Sequence, residues 1–254
     1  MASKDQITLG YWNIRGFAEP SRLLLHYTKT PFTNKLYSFG DAPDFKREEW
    51  LKDKNSLGLD FPNLPYLIDG SLKISQAKTI LTHLGRKFKL MGNDEAETSI
   101  IELLIDQSND LRQELNNVCY RAINFEAVKK KFCDETLPIH LKLFEDFLVR
   151  RGKKWLISDT LTAADFQLFE YLDHCWLLSN DDWAEYPKIL AYMKAFRELP
   201  ELKKYLEGEH AKRPINGKMA KFGGVAVQHE TIKKEPPKTE ESEPAPAPAP
   251  AETA

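Results

Sequence analysis

The first residue of this chain whose type and position could do chemistry is a tyrosine at the end of a β-rich run. Tyr11 closes residues 7–11, and Pro20 marks the start of a helical apolar stripe soon afterwards. A hydroxyl at the exit of a strand is held by packing on one side and is open to a ligand on the other, so it could hold a small anion. The alternative is a tyrosine that only bonds to nearby backbone, which is the more common case for one residue taken alone.

A second group of residues indicates a site for a small peptide with two carboxylates. A cis proline in the pair Leu64-Pro65 would turn the N–H and C=O of Leu64 outward, as a β edge to which a peptide can add. Trp50 and Lys54 are four residues apart and could supply a wall and a cation for one carboxylate. Gln76 starts a helix whose dipole favours a second carboxylate. Packing, a solvated charge and a helix start explain Trp50, Lys54 and Gln76 singly, but together they predict a bi-anionic peptide site.

The elements that must position these residues alternate between strand and helix in the first third of the chain. Strands are expected over residues 7–11, 32–37 and the two arms of a hairpin at 66–74, with helices at 19–27 and 77–85. Asp69-Gly70 supplies the hairpin turn. The order strand, helix, strand, loop or helix, strand, strand, helix predicts a thioredoxin-like domain over residues 1–88.

The next region reads as an all-helical domain over residues 93–222, because strand signals vanish and apolar residues recur every three or four positions. Thr162 and Asp165 match the S/T-x-x-D/E start signature, which predicts that Thr162 caps a helix running through Cys175. The other helices are expected over residues 99–120, 137–150, 187–197 and 200–206.

Residues 225–254 form a third region, with almost no large apolar residue and a Pro-Ala alternation near its end. Such a composition cannot bury enough surface to offset the entropy lost on ordering, so we expect a disordered tail. The whole chain carries a net charge of −2. That value gives no reason to expect nucleic acid or an anionic membrane as a partner.

Several further properties indicate a cytoplasmic protein. No apolar run approaches the roughly 20 residues that cross a bilayer, and the first residues lack the apolar region of a signal peptide. Cys119, Cys133 and Cys175 are odd in number and widely spaced, which suits reduced thiols better than disulfides. The six histidines show no metal-ligand spacing, so no metal site is expected.

Two segments together closely resemble the cytosolic glutathione transferases, and within them the mu class: residues 7–25 and residues 58–70. The resemblance covers about residues 5–222, and the loop at residues 40–45 looks like the extra loop of the mu class. It implies that Tyr11 donates its phenolic proton to the sulfur of glutathione. A hydrogen bond to the thiolate favours the charged form of a thiol whose ordinary pKa is about 8.5.

The same resemblance implies three further sets of residues. Glutathione is expected to be bound by Tyr11, Trp12, Phe17, Trp50, Lys54, Asn63, Leu64, Pro65, Gln76, Ala77 and Asp110, the last reaching across a dimer. The electrophile pocket is expected at Ile14, Phe17, Asn116, Tyr120 and Asn216, and Tyr120 is expected to act as a catalytic acid when an epoxide opens. Phe61 matches the aromatic key that enters the partner subunit, so a homodimer is expected.

The sequence departs from the family at two places. Ala77 stands where the family usually has a serine that binds the glutamyl carboxylate, and losing one charge-assisted hydrogen bond costs roughly 1.5–3 kcal/mol. Asn116 and Asn216 replace residues that are often apolar, which makes the pocket more polar.

The interpretation that accounts for most of these residues is an enzyme that conjugates glutathione, as co-substrate and without a cofactor, to electrophilic and mostly apolar small molecules. One alternative is a non-catalytic protein on the same scaffold, such as a ligand-binding protein or a lens-type crystallin. A glutathione-dependent isomerase is another, because it would use the same thiolate. Thioredoxin-type redox chemistry is disfavoured, because no cysteine lies near the first strand–helix turn.

Overall fold

The N-terminal part of the protein is a four-stranded mixed sheet with helices packed against it. The structure is a computed structural model that describes residues 7–179 and 183–225. The strands lie in the order β2-β1-β3-β4. Their bounds are β1 Ile7–Trp12, β2 Phe32–Tyr37, β3 Tyr66–Asp69 and β4 Leu72–Ser75, and the helices are α1 Glu19–Tyr27, α2 Glu48–Asp53 and α3 Ala77–Lys87.

Strand β1 is central because it pairs on both edges. Leu9 lies opposite Asn34 on the parallel strand β2 and opposite Leu67 on the antiparallel strand β3. Leu9 and Leu67 are both fully buried, as expected for a strand covered on its core face. The predicted parallel pair, the hairpin and both helices are confirmed, and the segment left as loop or helix contains the six-residue helix α2.

Among the described residues, six helices build the C-terminal part, and three of them continue into a π-helical turn. The helices are α4 Glu95–Asn116, α5 Phe125–Lys131, α6 Leu137–Arg151, α7 Ala163–Ser179, α8 Pro187–Arg197 and α9 Pro200–Tyr205. The π-helical turns span Asn117–Arg121, Phe132–Thr136 and Leu206–His210. The predicted all-helical character is confirmed in the residues that the structure describes.

Two differences from the predicted helices have local causes. Helix α4 begins at Glu95 rather than at residue 99, because the carboxylate of Asp94 accepts a hydrogen bond from the N–H of Glu97 and caps the helix. Helix α5 was not predicted, because none of its residues is buried and it therefore carries no apolar stripe.

Helix α7 forms the middle of the helical part and is buried along almost its whole length. It starts after Thr162 as predicted, and the carboxylate of Asp165 accepts hydrogen bonds from both the N–H and the hydroxyl of Thr162. The hydroxyl of Thr162 therefore donates to the side chain of Asp165. The N–H of Leu156 donates to the same carboxylate and fixes the preceding loop.

Buried ion pairs join the first strand–helix turn to helix α7. Arg15 is 1% exposed, and its guanidinium lies 2.8 Å from Glu170 Oε1 and 2.6 Å from Asp173 Oδ2. The turn that follows Tyr11 is thereby held against the helical part. No helix within the described ranges is long and apolar enough to cross a membrane. The expected disordered tail, apart from Val225, lies outside the described residues.

Candidate active site

The hydroxyl of Tyr11 is held at the start of the turn between β1 and α1. Its ring is buried, and its oxygen accepts a hydrogen bond from the N–H of Phe17 over 3.3 Å. Gly16 has a φ of +46°, and a Cβ at that position would lie 2.8 Å from the Tyr11 oxygen. Glycine therefore lets the turn close around the phenol. Because the oxygen accepts from Phe17, the hydroxyl proton remains to be donated to a ligand.

The surroundings of Tyr11 keep it protonated while placing positive charge nearby. Burial raises the pKa of the Tyr11 phenol, while the Phe17 N–H and the charges of Arg112 and Arg22 act in the opposite direction. The guanidinium carbon of Arg22 lies 5.8 Å from the centre of the Tyr11 ring, and Arg22 is paired with Glu19 at 2.8 Å. A phenol with a raised pKa is a hydrogen-bond donor at neutral pH.

The C-terminal segment closes the turn from the other side. The N–H groups of Arg15 and Gly16 donate to the carbonyls of Pro214 and Ile215 at 2.7 and 3.0 Å. The structure thus ties the turn after β1 to residues about 200 positions later, through backbone contacts that depend on no particular side chain.

Tyr120 brings a second phenol to the site from the π-helical turn after α4. Its oxygen accepts a hydrogen bond from the N–H of Gly217 over 2.8 Å, and its side chain is 36% exposed. Burial raises the pKa of Tyr120, and the neighbouring Tyr11 phenol acts in the same direction. Two phenols from different parts of the chain therefore share one site, each with its oxygen already accepting one backbone N–H.

Trp50 lies in a small aromatic cluster beside the sheet. Its ring stacks on Tyr66 with centroids 6.2 Å apart and meets the edge of Tyr37 at 5.5 Å. Only 6% of Trp50 is exposed, so most of its ring serves packing. Gly10 makes room for this cluster, since a Cβ there would lie 2.1 Å from the Tyr66 ring. Lys54 follows helix α2 directly and is half-buried.

The Leu64-Pro65 peptide bond is cis, as predicted. Pro65 is buried and Leu64 is half-buried. The N–H of Leu64 donates to Oδ1 of the exposed Asn63 at 2.9 Å. A peptide that adds to this edge has to replace the Asn63 contact when it accepts from Leu64.

Helix α3 offers an anion only its backbone at the N-terminus. Gln76 precedes the helix with a φ of +76°, its side chain is exposed, and no side chain caps the first turn. Ala77 is the first helical residue and is half-buried. The positive φ costs of order 1–3 kcal/mol for a non-glycine residue, and such strain clusters at ligand sites.

One of the five residues expected in the electrophile pocket lines a cavity beside the first turn. Ile14 lines a cavity of about 210 Å³ together with Asn13, Tyr37, Ser38, Phe39, Pro214, Lys218 and Gly224. Phe39 stacks on Trp12 with centroids 4.0 Å apart. Phe17 is half-buried, and so is Asn116, whose Oδ1 is buried without a hydrogen-bond partner.

Asn216 differs from the expectation that it lines the pocket. It is fully buried, its oxygen accepts from Arg112 at 2.9 Å, and its amide nitrogen donates to the carbonyl of Phe222 at 2.9 Å. The side chain therefore points into the protein and holds the C-terminal segment, because its amide is satisfied there.

Comparisons with known proteins match almost the whole folded part. Two family models match, described as the N-terminal domain of glutathione S-transferase over residues 7–86 and its C-terminal domain over residues 109–209. Glutathione S-transferase Mu 2 of Rattus norvegicus is 42% identical over 216 residues, which are 84% of this chain and 97% of that protein. The chain belongs to the glutathione S-transferase family.

Other relatives agree with this assignment and with the mu class. Glutathione S-transferase Mu 3 of Homo sapiens is 39% identical over 229 residues, 89% of this chain and all of that protein. The crystal structure of the glutathione S-transferase Blo t 8 has a TM-score of 0.78 at 35% identity and covers 87% of this chain. A pi-class glutathione S-transferase of Onchocerca volvulus has a TM-score of 0.75 at 30% identity and covers 85%.

The predicted resemblance to mu-class transferases and the predicted fold are thus confirmed. These relatives carry the name of an enzyme, so the comparisons do not favour the non-catalytic alternative. In the mu-type loop at residues 40–45, Asp41 is paired with Lys218 of the C-terminal segment at 2.7 Å. The ion pair joins this loop to the C-terminal segment. In the described parts of the chain, no group of three or more His, Cys, Asp or Glu residues is placed to hold a metal ion.

The predicted dimer key and the acidic residue expected to reach across the dimer lie on the surface. Phe61 is 80% exposed, and Asp110 is exposed on α4. Arg15, Gly16 and Arg112, in contrast, were not predicted as site residues. The acidic residues Glu170 and Asp173, within a helix whose residues are mostly apolar, were a signal in the sequence for a buried cation such as Arg15.

Proposed function

We propose that this protein is a glutathione transferase that binds glutathione as a thiolate and conjugates it to electrophilic, mostly apolar small molecules. The observation that carries the proposal is the Tyr11 hydroxyl, which accepts from the Phe17 N–H and has its own proton free to donate. The mu-class relatives support it, since they are transferases by name over the same residues.

The chemistry follows from hydrogen bonding to a charged sulfur. A free thiol with a pKa near 8.5 is mostly protonated at neutral pH. A donor aimed at the sulfur favours the thiolate, and a drop of about two pKa units corresponds to roughly 2.7 kcal/mol. The thiolate then attacks the electrophilic carbon directly. Positioning and electrostatic stabilisation supply the rate, without a covalent enzyme intermediate.

Glutathione itself is proposed to bind along the edge of the sheet. The backbone of Leu64, beside cis-Pro65, pairs with the cysteinyl backbone, with Trp12 and Phe17 close to Tyr11. Trp50, Lys54 and Asn63 serve one carboxylate end. Gln76, Ala77 and the partner subunit's copy of the exposed α4 residue Asp110 serve the other. The ligand is a co-substrate, and the proposed reaction uses no cofactor.

Tyr120 is proposed to assist substrates whose reaction generates an alkoxide. Its burial keeps it protonated, and its oxygen already accepts from Gly217, so its proton is available to a leaving or opening oxygen. An epoxide needs such an acid, whereas an aromatic halide does not.

The working form is proposed to be a cytoplasmic homodimer. Phe61 is a large apolar side chain with 80% of its surface exposed, and Leu103 and Ile139 on helices α4 and α6 are each 61% exposed. Burying such side chains between two copies stabilises an isologous interface. The widely spaced cysteines suit a reducing compartment.

Steady-state conjugation of glutathione to a chlorinated nitroaromatic compound tests the function. Tyr11→Phe should lower kcat/KM at neutral pH by roughly ten- to a hundredfold, because about one to two units of the thiol pKa shift are lost. Tyr27→Phe, which changes a phenol on helix α1 that packs on Phe166, is the matched control and should keep the wild-type value. Absence of conjugation in the wild type would overturn the proposal.

A further inference from the structure

One buried cation has no anionic partner among the residues that the structure describes. In the described residues, four arginines are at least nine-tenths buried: Arg15, Arg22, Arg112 and Arg213. Three of them lie within 4 Å of a carboxylate oxygen of Glu19, Glu170, Asp173 or Glu209. Arg112, which is 1% exposed, makes no such pair. Because an unpaired buried charge is costly, its retention calls for an anion that arrives later.

The contacts of Arg112 hold its charge in place without neutralising it. Its guanidinium donates to His174 Nδ1 and to Asn216 Oδ1, both at 2.9 Å, and its Nε has no hydrogen-bond partner. Its flat face lies against the rings of Phe17 at 5.4 Å and Tyr171 at 5.7 Å. The polar partners are neutral acceptors, so the full positive charge remains.

The bond to His174 fixes the charge state of that histidine. An arginine only donates, so Nδ1 of His174 has to be an unprotonated acceptor. The ring then carries its proton on Nε2, which lies 2.6 Å from Glu170 Oε1. Burial lowers the pKa of His174 to about 4, in agreement with a neutral ring at neutral pH. His174 and Asn216 are therefore positioning residues for Arg112.

Arg112 lies beside the phenol that would hold the thiolate. Its neighbour Phe17 is the residue whose N–H donates to the Tyr11 oxygen. The other groups that face Tyr11 carry less free charge. Arg22 is neutralised by Glu19, and Tyr120 and Tyr171 are protonated phenols whose pKa values are raised by burial.

We propose that Arg112 is the counter-charge of the anion that forms at the Tyr11 hydroxyl, and that it stabilises the glutathione thiolate through its field rather than by contact. This inference rests on the proposed function. At about 10 Å, with an effective dielectric constant of about 20, one charge shifts a pKa by about one unit. Arg112 would thus lower the thiol pKa further than the hydrogen bond from Tyr11 does alone.

The test compares Arg112→Gln with the charge-preserving Arg112→Lys. The first readout is the pKa of the Tyr11 phenol in ligand-free protein, taken from ultraviolet titration of each variant against the same variant with Tyr11→Phe. Arg112→Gln should raise that pKa by about one unit, and Arg112→Lys should leave it within a few tenths of the wild-type value. Arg197→Gln, which removes an arginine paired with Asp173, is the matched control and should cause no shift.

The second readout is the pH profile of conjugation. Arg112→Gln should move the rising limb of kcat/KM upward by about one pH unit, so that activity is lost near neutral pH and recovers in alkali. A merely structural role would lower the profile without moving it. If Arg112→Gln does not fold, the phenol pKa of Arg112→Met decides, because that variant also removes the charge and should show the same upward shift.

Three results would overturn the proposal. One is an unchanged phenol pKa in folded Arg112→Gln, or in Arg112→Met where that variant has to decide. Another is equal shifts in the Gln and Lys variants, which would show that hydrogen bonding rather than charge acts on Tyr11. A third is an unmoved pH profile. A wild-type protein that binds glutathione without lowering its thiol pKa would refute the proposed function instead, and the phenol titration would still decide whether Arg112 acts at Tyr11.

Discussion

Replacing Arg15 by methionine should destabilise the whole protein, because Arg15 joins the catalytic turn to helix α7. Its Nε donates to Glu170 at 2.8 Å, and its terminal nitrogen donates to Glu170 and Asp173 at 3.0 and 2.6 Å. All three side chains are at most 2% exposed. Removing one partner of a buried ion pair costs about 3–5 kcal/mol, because the other charge stays buried and unpaired.

The remaining partners place the expected loss at the lower end of that range. Glu170 keeps His210 at 2.8 Å, and Asp173 keeps Arg197 at 2.7 Å. We therefore expect a loss of about 3 kcal/mol for Arg15→Met, which corresponds to a fall in Tm of about 10 °C for a chain of this size.

Urea unfolding at neutral pH, followed by tryptophan fluorescence at one fixed protein concentration, measures this loss. Lys142→Met is the matched control, because Lys142 pairs with Asp146 at 2.8 Å with both side chains largely exposed. It should cost no more than about 0.5 kcal/mol. A loss for Arg15→Met within about 1 kcal/mol of the control would refute the argument from burial.

Three further predictions concern binding, acid catalysis and assembly, and a fourth concerns pH. Ala77→Ser should tighten glutathione binding about tenfold or more, measured by calorimetry, because a hydroxyl adds one charge-assisted bond; unchanged affinity would contradict this. Tyr120→Phe should slow epoxide conjugation at least about a hundredfold while sparing an aromatic halide, and equal losses would contradict an acid role. Phe61→Glu should be a monomer in analytical ultracentrifugation, whereas a dimer that persists would show that Phe61 is not the key that holds the two subunits together. Burial alone would raise the pKa of Glu170, but the charge of Arg15 outweighs it and holds that pKa well below its usual 4.5. The stabilisation from Glu170 is therefore complete above that pH and is lost as pH falls below it; acid unfolding of Glu170→Gln should be less steep.

Much of the fold could be predicted because its signals are local. Pro20 at a helix start, Asp69-Gly70 at a hairpin turn and the three-to-four spacing of apolar residues each lie within one element. Helix α5 lacked such a signal, since it has no buried face. Local pattern therefore identified the elements that pack by an apolar stripe and missed the one that does not.

Residues of the candidate site could be predicted only where they lie in short sequence motifs. Tyr11 and Leu64-Pro65 lie in such motifs, and the cis bond was expected. The contact between Arg15 and Glu170 spans 155 positions and that between Arg112 and Asn216 spans 104, so no local pattern reveals either. Asn216 was expected in the pocket, but its amide is drawn inward by Arg112. The positions of these side chains are thus set by contacts between residues far apart in the sequence, which a local sequence pattern does not reveal.

The most direct test of the account is the pKa of the glutathione thiol when it is bound to this protein. Ultraviolet difference titration follows the thiolate band from about pH 5 to about pH 9 in the wild type and in Tyr11→Phe. We expect a thiol pKa about two units below 8.5 in the wild type, and a value at least about one unit higher in the variant, which keeps Arg112 but lacks the hydrogen bond from Tyr11. Equal values in the two proteins, or a wild-type thiol that keeps its ordinary pKa, would contradict the claim that Tyr11 activates glutathione.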